Sequence, residues 1–435
     1  MINKNKSLTA FEKFIFFQYL KVYVFLKYLK KFFLGKIGFK QFILFLKRVL
    51  LLFNKIKVNK VVKTQGVYKI HIYLPAFPTK AFFIALDKFL NKTKNSIDLY
   101  PASVLLSISK ICNYNCPHCY QKLDSINQMP LDSLCNTAKK IQDLKISFIN
   151  IEGGEPLISF KRLIAVLKVL DKNKSEIWIN TNGSSLTKEK AKKMKELGVF
   201  GVMVSLHHWQ REKHDKFVGV KGAYDIAVSA LNLLNQVGLS TAINCTGTQK
   251  LVESGGVEKI MQIAKNTNCA LVQLIHEKPA GAWLKREGTL KKEYINKLCK
   301  YHLVYSLDKK YKDYPAISSQ AYESLKENFG CTAGGIERFY INASGEVQPC
   351  EFVNLTFGNL TKEPFLKIYK RMKNVFKNPR TKWICCTENN KIKKAMKQLK
   401  NKKTPLPKKM SKKIIDNFNL GEKTSLYKKM KLYDE

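Results

Sequence analysis

Short apolar runs alternate with longer amphipathic stretches between residues 101 and 285. The runs are rich in β-branched residues, which predicts buried strands. The stretches between them place apolar residues at every third or fourth position, which predicts helices. The predicted strands are 104–109, 146–151, 176–180, 199–206, 240–244 and 270–275. The predicted helices are about 131–144, 160–172, 187–197, 223–237 and 256–266.

This alternation predicts βα units around a parallel sheet, and therefore the α/β class. We expect a partial (β/α)6 barrel of the TIM type over residues 101–285, with an N-terminal amphipathic helical region at 1–100. A helical connector (286–330), a small β-hairpin and cysteine-cluster module (331–388) and a basic tail (389–435), either mobile or surface-bound, complete the predicted organisation. In parallel barrels the active site lies at the C-terminal ends of the strands, so residues that follow the apolar runs are candidates for chemistry.

The first hundred residues contain two amphipathic helical patterns, joined by a predicted bend at Gly35 and Gly38. Basic residues recur at 13, 21, 27, 30 and 31, and again at 36, 40, 47, 48 and 55. The apolar face consists of Phe14, Phe16, Phe17, Leu20, Phe25 and Phe33, then Phe42, Phe45, Leu46, Val49 and Leu52. A wide apolar face opposite a lysine face is typical of helices that lie in a membrane interface. The alternative is a helical hairpin packed on the protein's own barrel.

The charge of the chain is extreme and uneven, with a formal net value of +44. Residues 1–100 carry 20 basic and 3 acidic side chains, and residues 391–435 carry 15 and 4. Basic ends on a more moderate centre predict an anionic partner, either a membrane surface or nucleic acid, although a lysine-rich coding bias also produces such a charge. Lysines interrupt every apolar run near the N-terminus, so no secretory signal is expected there. Cysteines without a disulfide framework predict a reducing cytosol.

Cys112, Cys116 and Cys119 follow the first predicted strand with the spacing Cys-x3-Cys-x2-Cys. Three thiolates in one short loop can bind one cofactor, and a four-iron–four-sulfur cluster held by three cysteines keeps one iron open to a small molecule. A structural zinc site needs a fourth ligand nearby. The nearest candidate, His118, lies between two of the cysteines, where ligation of the same ion would be cramped. The spacing therefore favours an iron–sulfur cluster.

The motif resembles the signature of the radical S-adenosylmethionine (radical SAM) superfamily, Cys-x3-Cys-x-aromatic-Cys, with His118 in the aromatic position. The resemblance implies that S-adenosylmethionine (SAM) binds the open iron and is cleaved to methionine and a 5′-deoxyadenosyl radical, which abstracts hydrogen from a substrate. It also implies oxygen-poor conditions and a reductant such as ferredoxin or flavodoxin. The cofactor contacts that the resemblance implies are those of His118, Gly153, Gly154, Glu155, Pro156, Asn182 and Ser205. Asn182 and Ser205 could equally cap the helices that follow them.

Two further groups of residues follow predicted strands, where a substrate would lie. His207 and His208 come after the fourth strand, and His276, Glu277 and Lys278 come after the sixth. Such groups suit proton transfer, charge pairing or radical quenching, and Lys278 suits an anionic group of the substrate. Each imidazole could equally form hydrogen bonds within a packed loop.

The C-terminal cysteines surround a predicted β-hairpin. Cys331 precedes it, Cys350 follows it, and Cys385 and Cys386 come later. The order resembles the SPASM and twitch extensions of radical SAM enzymes, which implies one auxiliary iron–sulfur cluster, since the further cysteine pairs of a full SPASM extension are missing. Zinc or a simply reduced hairpin remains the alternative. The remaining cysteines, at 135, 245, 269 and 299, are expected in the core.

The leading hypothesis is a radical SAM enzyme on the cytoplasmic face of a membrane, acting on a lipid or lipid-linked molecule. A peptide or protein substrate is the alternative, because auxiliary modules of this type occur in peptide-maturing enzymes. A basic nucleic-acid binder with structural metal sites is the third reading. No zinc-finger spacing or RNA-binding signature supports it, so nucleic acid is the least expected partner.

Overall fold

A computed structural model describes residues 5–432 of the chain, apart from 92–100, 125–126, 286–289, 378, 380, 401 and 419–420. The strands are β1 (Lys6–Ser7), β2 (Val62–Thr64), β3 (Val67–Lys69), β4 (Ser103–Ser107), β5 (Phe148–Glu152), β6 (Glu176–Thr181), β7 (Gly201–Ser205), β8 (Ser240–Gly247), β9 (Leu271–His276), β10 (Ala316–Ser319), β11 (Arg338–Ile341), β12 (Glu346–Gln348) and β13 (Gly358–Asn359).

The α-helices, over the same described residues, are α1 (Ala10–Phe33), α2 (Phe39–Ile56), α3 (Lys80–Leu90), α4 (Leu131–Asp143), α5 (Phe160–Val169), α6 (Lys188–Glu196), α7 (Arg211–Val218), α8 (Ala223–Val237), α9 (Gln249–Glu253), α10 (Gly256–Asn266), α11 (Lys292–Leu307), α12 (Gln320–Glu323), α13 (Phe365–Val375), α14 (Ile384–Thr387), α15 (Asn389–Lys397), α16 (Lys408–Ile415) and α17 (Ser425–Lys429).

One large sheet organises the described part of the chain, in the order β10-β9-β8-β7-β6-β5-β4-β11-β12-β13. The predicted barrel strands are β4 to β9, and each pairs in parallel with its neighbour. The predicted α/β class with a partial barrel is therefore confirmed. The segment predicted as a helical connector contains α11 and also β10, which adds a further parallel strand beside β9.

The auxiliary hairpin belongs to the same sheet as the barrel. Strand β11 pairs in parallel with β4, and β12 and β13 continue the sheet antiparallel. The C-terminal cysteine module is thus attached directly to the strand that leads into the first cysteine loop. The sequence could not predict this pairing, because the two partners lie more than 200 residues apart and each reads only as an isolated strand.

The segment between α2 and α3 closes the N-terminal end of the barrel. Ile72 is fully buried in an apolar cluster with Phe148 and Trp178, which lie near the starts of the barrel strands β5 and β6. The Lys69 ammonium is buried and pairs with the Glu176 carboxylate at the start of β6. Burial of the charged form lowers the pKa of Lys69, and the neighbouring carboxylate opposes that effect. Strand β3 ends at Lys69, and the turns that follow it form this plug.

The N-terminal helices form a hairpin that packs on the protein through one face only. Phe16, Leu20 and Val24 of α1 and Phe45 and Phe53 of α2 lie in the core, which is the packing that the alternative interpretation predicted. The opposite face of α1 is also apolar and is exposed. The sequence analysis assigned the apolar residues of α1 and α2 to a single apolar face. In the structure, some of them pack in the core and others are exposed.

The lysine-rich C-terminal segment lies against the body of the protein. Arg48 of α2 donates from Nε to the carbonyl of Met430 at 3.0 Å, and Tyr427 donates from its hydroxyl to Glu337 at 2.8 Å. Tyr427 and Leu432 are fully buried. The described part of this tail is therefore a packed element rather than a free extension.

Candidate functional site

The cysteine loop and the ends of strands β5 to β8 surround one cavity of about 380 Å³. Its lining includes all three thiols of the loop, Cys112, Cys116 and Cys119, together with Asn182 and Ser205. His118, Gly153, Gly154 and Glu155 also line it. The structure thus brings together, at the C-terminal ends of parallel strands, nearly every residue that the radical SAM resemblance assigned to the cofactors.

Burial raises the pKa of the loop thiols. The pKa of Cys112 rises to about 11 and that of Cys116 to about 12, because their surroundings disfavour a thiolate. Thiols with these pKa values carry their protons at pH 7. Since metals bind the thiolate, cofactor loading releases protons.

The glycines after β5 allow the chain to lie directly on the cysteine loop. The Gly154 amide donates to the carbonyl of Ser109 at 2.6 Å, and the Glu155 amide donates to the carbonyl of Ile111 at 2.7 Å. A methyl group on Gly153 would lie 2.6 Å from the Ser109 oxygen, and one on Gly154 would collide with the Ile111 carbonyl. Only glycine permits this approach.

Glu155 is held by hydrogen bonds within the protein. Its carboxylate accepts from the Thr181 hydroxyl at 2.6 Å, the Asn182 amide at 2.7 Å and the Leu157 amide at 2.9 Å. Burial raises the pKa of Glu155, and these donors oppose that shift. The carboxylate therefore joins the turn to the end of β6 and orients Asn182, whose side chain donates to Asn113 of the cysteine loop at 3.2 Å.

The donor set and the cavity fit the cofactors that the sequence implies. The three thiols and the glycine turn line the same cavity, and the turn lies directly on the backbone of the cysteine loop. Within the described residues, no three histidine, cysteine or acidic side chains converge as they would around a single metal ion. A cubic cluster holds its cysteines farther apart than a single ion does, because each thiolate binds a different iron. Three thiols that line one cavity are the donor set that such a cluster needs.

The histidines after β7 occupy different surroundings. His207 lines the cavity, and its ring lies 4.7 Å from that of His118 and 5.9 Å from that of His214 between ring centres. Burial lowers the pKa of His207 well below its usual value, so the ring is neutral. Neighbouring His208 accepts from the Gln210 amide at 3.0 Å through Nδ1, within its own loop.

His276 and Lys278 lie beside the auxiliary module. The Lys278 ammonium is 2.6 Å from Nε2 of His276 and 4.2 Å from the ring centre of Trp383. Trp383 packs on His276 at 3.9 Å between ring centres and directly precedes α14, the helix that carries Cys385 and Cys386. Glu277, between them in sequence, is half-buried. The prediction that His276, Glu277 and Lys278 act on the substrate stays a prediction.

The auxiliary cysteines meet around the β11–β12 hairpin. Cys331, Cys350 and Cys385 line a common second cavity, and the sulfur of Cys386 lies 3.8 Å from that of Cys385. Buried Arg338 places a guanidinium nitrogen 3.7 Å from the Cys350 sulfur, where a cation would balance the charge of ligating thiolates. These four thiols are a suitable donor set for one auxiliary cluster.

Glu152 is a cavity residue that sequence reasoning did not select. It is fully buried at the end of β5, forms a hydrogen bond with the Tyr120 hydroxyl, and accepts from Asn180 at 3.1 Å. Burial is the main reason that the pKa of Glu152 rises to about 8. Its position at the end of a strand, directly before Gly153, is the feature of the sequence by which it could have been selected as a site residue. Gln121 extends the network by donating to the Tyr340 hydroxyl of β11 at 3.0 Å.

The protonation of Glu152 predicts a pH-dependent stability. Its pKa is about 8 in the folded protein against 4.5 for the unperturbed group, so the folded state binds the proton more tightly. The stability that this proton contributes is complete below pH 4.5 and is lost as pH rises to 8. Relative to Glu152→Gln, the wild-type protein should lose up to about 1.4 kcal/mol of unfolding free energy per pH unit in that range. Urea unfolding between pH 4.5 and 8 measures the unfolding free energy, and the exposed Glu196→Gln variant is the control. The prediction is wrong if the unfolding free energies of wild type and Glu152→Gln change equally with pH.

Comparison with known proteins gives two matches to family models. Residues 106–254 match the radical SAM superfamily model, and residues 331–396 match the SPASM model, described as an iron–sulfur cluster-binding domain. The AdoMet-dependent heme synthase of Methanosarcina barkeri is 22% identical over 293 residues, covering 62% of this chain and 82% of that protein.

Solved structures of SuiB from Streptococcus suis are similar in fold. The structure bound to S-adenosylmethionine has a TM-score of 0.54 and 18% identity, covering 68% of this chain and 74% of SuiB. The structure bound to the precursor peptide SuiA has a TM-score of 0.53 and 17% identity, covering 67% of each chain.

Proposed function

This chain belongs to the radical SAM superfamily and carries a SPASM domain, and we propose that it acts at an anionic membrane surface on a lipid or lipid-linked substrate. The observation that carries the proposal is the exposed apolar face of the N-terminal hairpin. Along α1 the exposed fractions are 72% for Phe11, 50% for Ile15, 56% for Val22, 55% for Leu26 and 76% for Phe33. These residues are spaced by four and seven positions, so they form one stripe along the helix.

Helix α2 also exposes apolar residues, and both helices are rich in basic residues, of which Arg48 is buried. Phe39 and Ile43 of α2 are 64% and 48% exposed. Residues 10–56 contain ten basic side chains and a single acidic one. Exposed apolar patches of this extent mark interaction sites, and lysines around them complement anionic headgroups. Within the described residues, no single helix is both long and apolar enough to cross a bilayer.

The residues of the first cavity have separable roles in the proposed reaction. Cys112, Cys116 and Cys119 would hold an iron–sulfur cluster, which would supply the electron for reductive cleavage of SAM. The glycine turn lets the segment after β5 lie directly on the cysteine loop, and Glu155 holds that turn on the end of β6. Glu152 carries a proton at neutral pH beside Tyr120, where a substrate reacting in the cavity would meet it. Neutral His207 lies on the same wall.

Vesicle binding tests the membrane proposal. Replacement of Phe11, Ile15, Val22 and Leu26 by glutamine should lower partitioning onto vesicles of phosphatidylglycerol and phosphatidylcholine at least about 100-fold, because each buried aliphatic side chain contributes roughly 1.5–3 kcal/mol. Co-sedimentation measures the effect. Substitution is preferable to deletion of residues 1–60, since Phe16, Leu20 and Phe53 are part of the core.

A matched control removes the same number of exposed apolar residues elsewhere. Leu131, Leu303, Leu307 and Leu366 are 40%, 36%, 59% and 41% exposed, and they lie outside the hairpin. Their replacement by glutamine should leave vesicle binding unchanged. Wild-type protein that stays in the supernatant, or a hairpin variant that sediments as well as wild type, would refute the proposal.

A peptide or protein substrate is the second candidate. It is favoured by the fold similarity to SuiB, whose structure holds its precursor peptide. The two candidates differ in their need for a membrane. Under the peptide hypothesis, substrate turnover in detergent-free solution should be unaffected by the four hairpin substitutions.

A further inference from the structure

A lysine-rich segment that follows the auxiliary cysteines presents a strongly basic surface. Between Asn389 and Phe418 the chain contains eleven lysines and a single acidic residue, Asp416. We call the described residues of this stretch, 389–400 and 402–418, the lysine segment. Its exposed lysines are Lys391, Lys394, Lys397, Lys400, Lys402, Lys403, Lys408, Lys409, Lys412 and Lys413.

The lysine segment begins beside the auxiliary cysteines. Cys385 and Cys386 lie on α14, and α15 starts at Asn389, two residues after the end of that helix. Cys386 is only partly buried. A partner bound to the start of the segment would therefore lie near the proposed auxiliary cluster.

The same segment then reaches the first cysteine loop. The Thr404 amide donates to the carbonyl of Leu123 at 2.8 Å, and the Thr404 hydroxyl donates to Asp124 at 2.8 Å. Leu123 follows Cys119 by four residues, and Lys403 directly precedes Thr404. The lysine segment thus connects the neighbourhoods of the two proposed clusters.

Only the polar side of the lysine segment faces outward. Ile392, Met396, Leu406 and Ile414 are buried, with exposed fractions of 2%, 7%, 0% and 8%. The described residues of this segment include none of the large apolar side chains that are exposed elsewhere in the protein. This surface therefore differs from the N-terminal hairpin, whose exposed apolar stripe suits a membrane interface. Positive charge without apolar contacts fits a protein with an acidic surface.

Most of this charge is left for a partner. Among the described residues, the exposed lysines of the segment form two ion pairs, Lys391 with Glu388 at 2.9 Å and Lys408 with Glu363 at 3.1 Å. Complexes between electron-transfer proteins are small and transient, and complementary charge accelerates their association. A basic surface beside two proposed redox centres has the properties that such a complex requires.

We propose that the lysine segment is the docking surface for an acidic one-electron carrier protein of the flavodoxin or ferredoxin type. Reductive cleavage of SAM consumes an electron, which must come from outside the chain. The docked carrier loses one electron, and the proposed cluster that lies nearer to it gains that electron. The assignment is independent of the membrane proposal, because the hairpin packs through Phe16 on Tyr68 and Phe77 of the barrel plug.

Calorimetric titration of the cluster-loaded full chain with purified flavodoxin, and separately with ferredoxin, tests this surface. Wild type should bind at least one of the two carriers, and its affinity should fall as salt is added, because salt screens exposed charges. Replacement of Lys394, Lys397, Lys402 and Lys403 by glutamine should weaken binding at least about tenfold, since each exposed charge pair adds a modest attraction. Lys402→Gln with Lys403→Gln replaces the quadruple variant if that variant does not fold.

A matched control removes four exposed lysines from another part of the barrel. Lys139 and Lys140 lie near the end of α4, and Lys172 and Lys174 lie between α5 and β6. Their replacement by glutamine changes the net charge by the same amount and should leave carrier binding unchanged. Equal weakening by both sets of substitutions would mean that net charge alone attracts the carrier, and it would overturn the assignment. Wild type that binds neither carrier would also overturn it.

Failure of this surface is distinguishable from failure of the membrane proposal. The quadruple lysine variant should co-sediment with vesicles of phosphatidylglycerol and phosphatidylcholine as wild type does. The hairpin variant should bind the carrier as wild type does, because its four substitutions lie on α1. A lysine variant that loses vesicle binding but keeps carrier binding would assign the segment to a lipid surface and refute the docking proposal.

Discussion

Simultaneous replacement of Cys112, Cys116 and Cys119 by alanine is expected to abolish formation of 5′-deoxyadenosine. The three thiols line one cavity, and they are the proposed ligands of the cluster that would deliver the electron. Anaerobic reconstitution, reduction with dithionite and chromatography of the SAM cleavage products measure the loss. The iron content should fall from about eight to about four atoms per chain, because the auxiliary cysteines keep their own cluster.

The matched control for this variant is Cys135→Ala. Cys135 is a partly buried cysteine on α4 that lines neither cavity. Its replacement should leave iron content and SAM cleavage unchanged. If the triple variant kept its 5′-deoxyadenosine yield, the cysteine loop would not be the site of SAM cleavage. A wild-type iron content of about four would instead remove the auxiliary cluster.

Gly154→Ala is expected to have the second largest effect. The added methyl would collide with the Ile111 carbonyl, which belongs to the backbone of the cysteine loop and cannot move aside as a flexible side chain would. The loop must shift, so we expect SAM affinity and 5′-deoxyadenosine formation to fall at least about 100-fold. Overpacking of this kind also costs about 1–3 kcal/mol of stability. Calorimetric SAM binding to the cluster-loaded protein measures the affinity.

Gly38→Ala is the matched control, since the same methyl at Gly38 meets no atom within 4 Å. It should bind SAM as wild type does. An unchanged SAM affinity in Gly154→Ala would show that the turn does not support the cofactor. A variant that loses stability but retains full SAM affinity would assign Gly154 to folding alone.

The barrel strands and many of the residues that line the first cavity could be predicted because their signals are local. Strand β5 and the glycines after it lie in one short segment, and a buried apolar run followed by Gly153 and Gly154 needs no distant partner to be recognised. Glu152 lies in the same segment but was missed. A carboxylate at a strand end is usually solvated, and the burial that raises the pKa of Glu152 depends on the folded structure.

The residues around His276 show the limit of that local reasoning. Its position after β9 correctly indicated the C-terminal edge of the sheet, where a substrate was expected. The structure packs His276 against Trp383, more than 100 residues later in the chain. Nothing in either segment encodes that contact, because it depends on how the auxiliary module folds back onto the barrel.

The sequence alone determined the chemistry of this protein, since the spacing of three thiols and the glycine turn are properties of short segments. Tertiary structure alone decided which apolar residues of α1 and α2 are buried and which remain exposed. Both faces of α1 are apolar, so no periodicity distinguishes Phe16, which packs on the barrel plug, from Ile15, which remains exposed. The physical reason is that burial depends on where the rest of the chain offers a complementary surface, and that surface comes from residues distant in sequence.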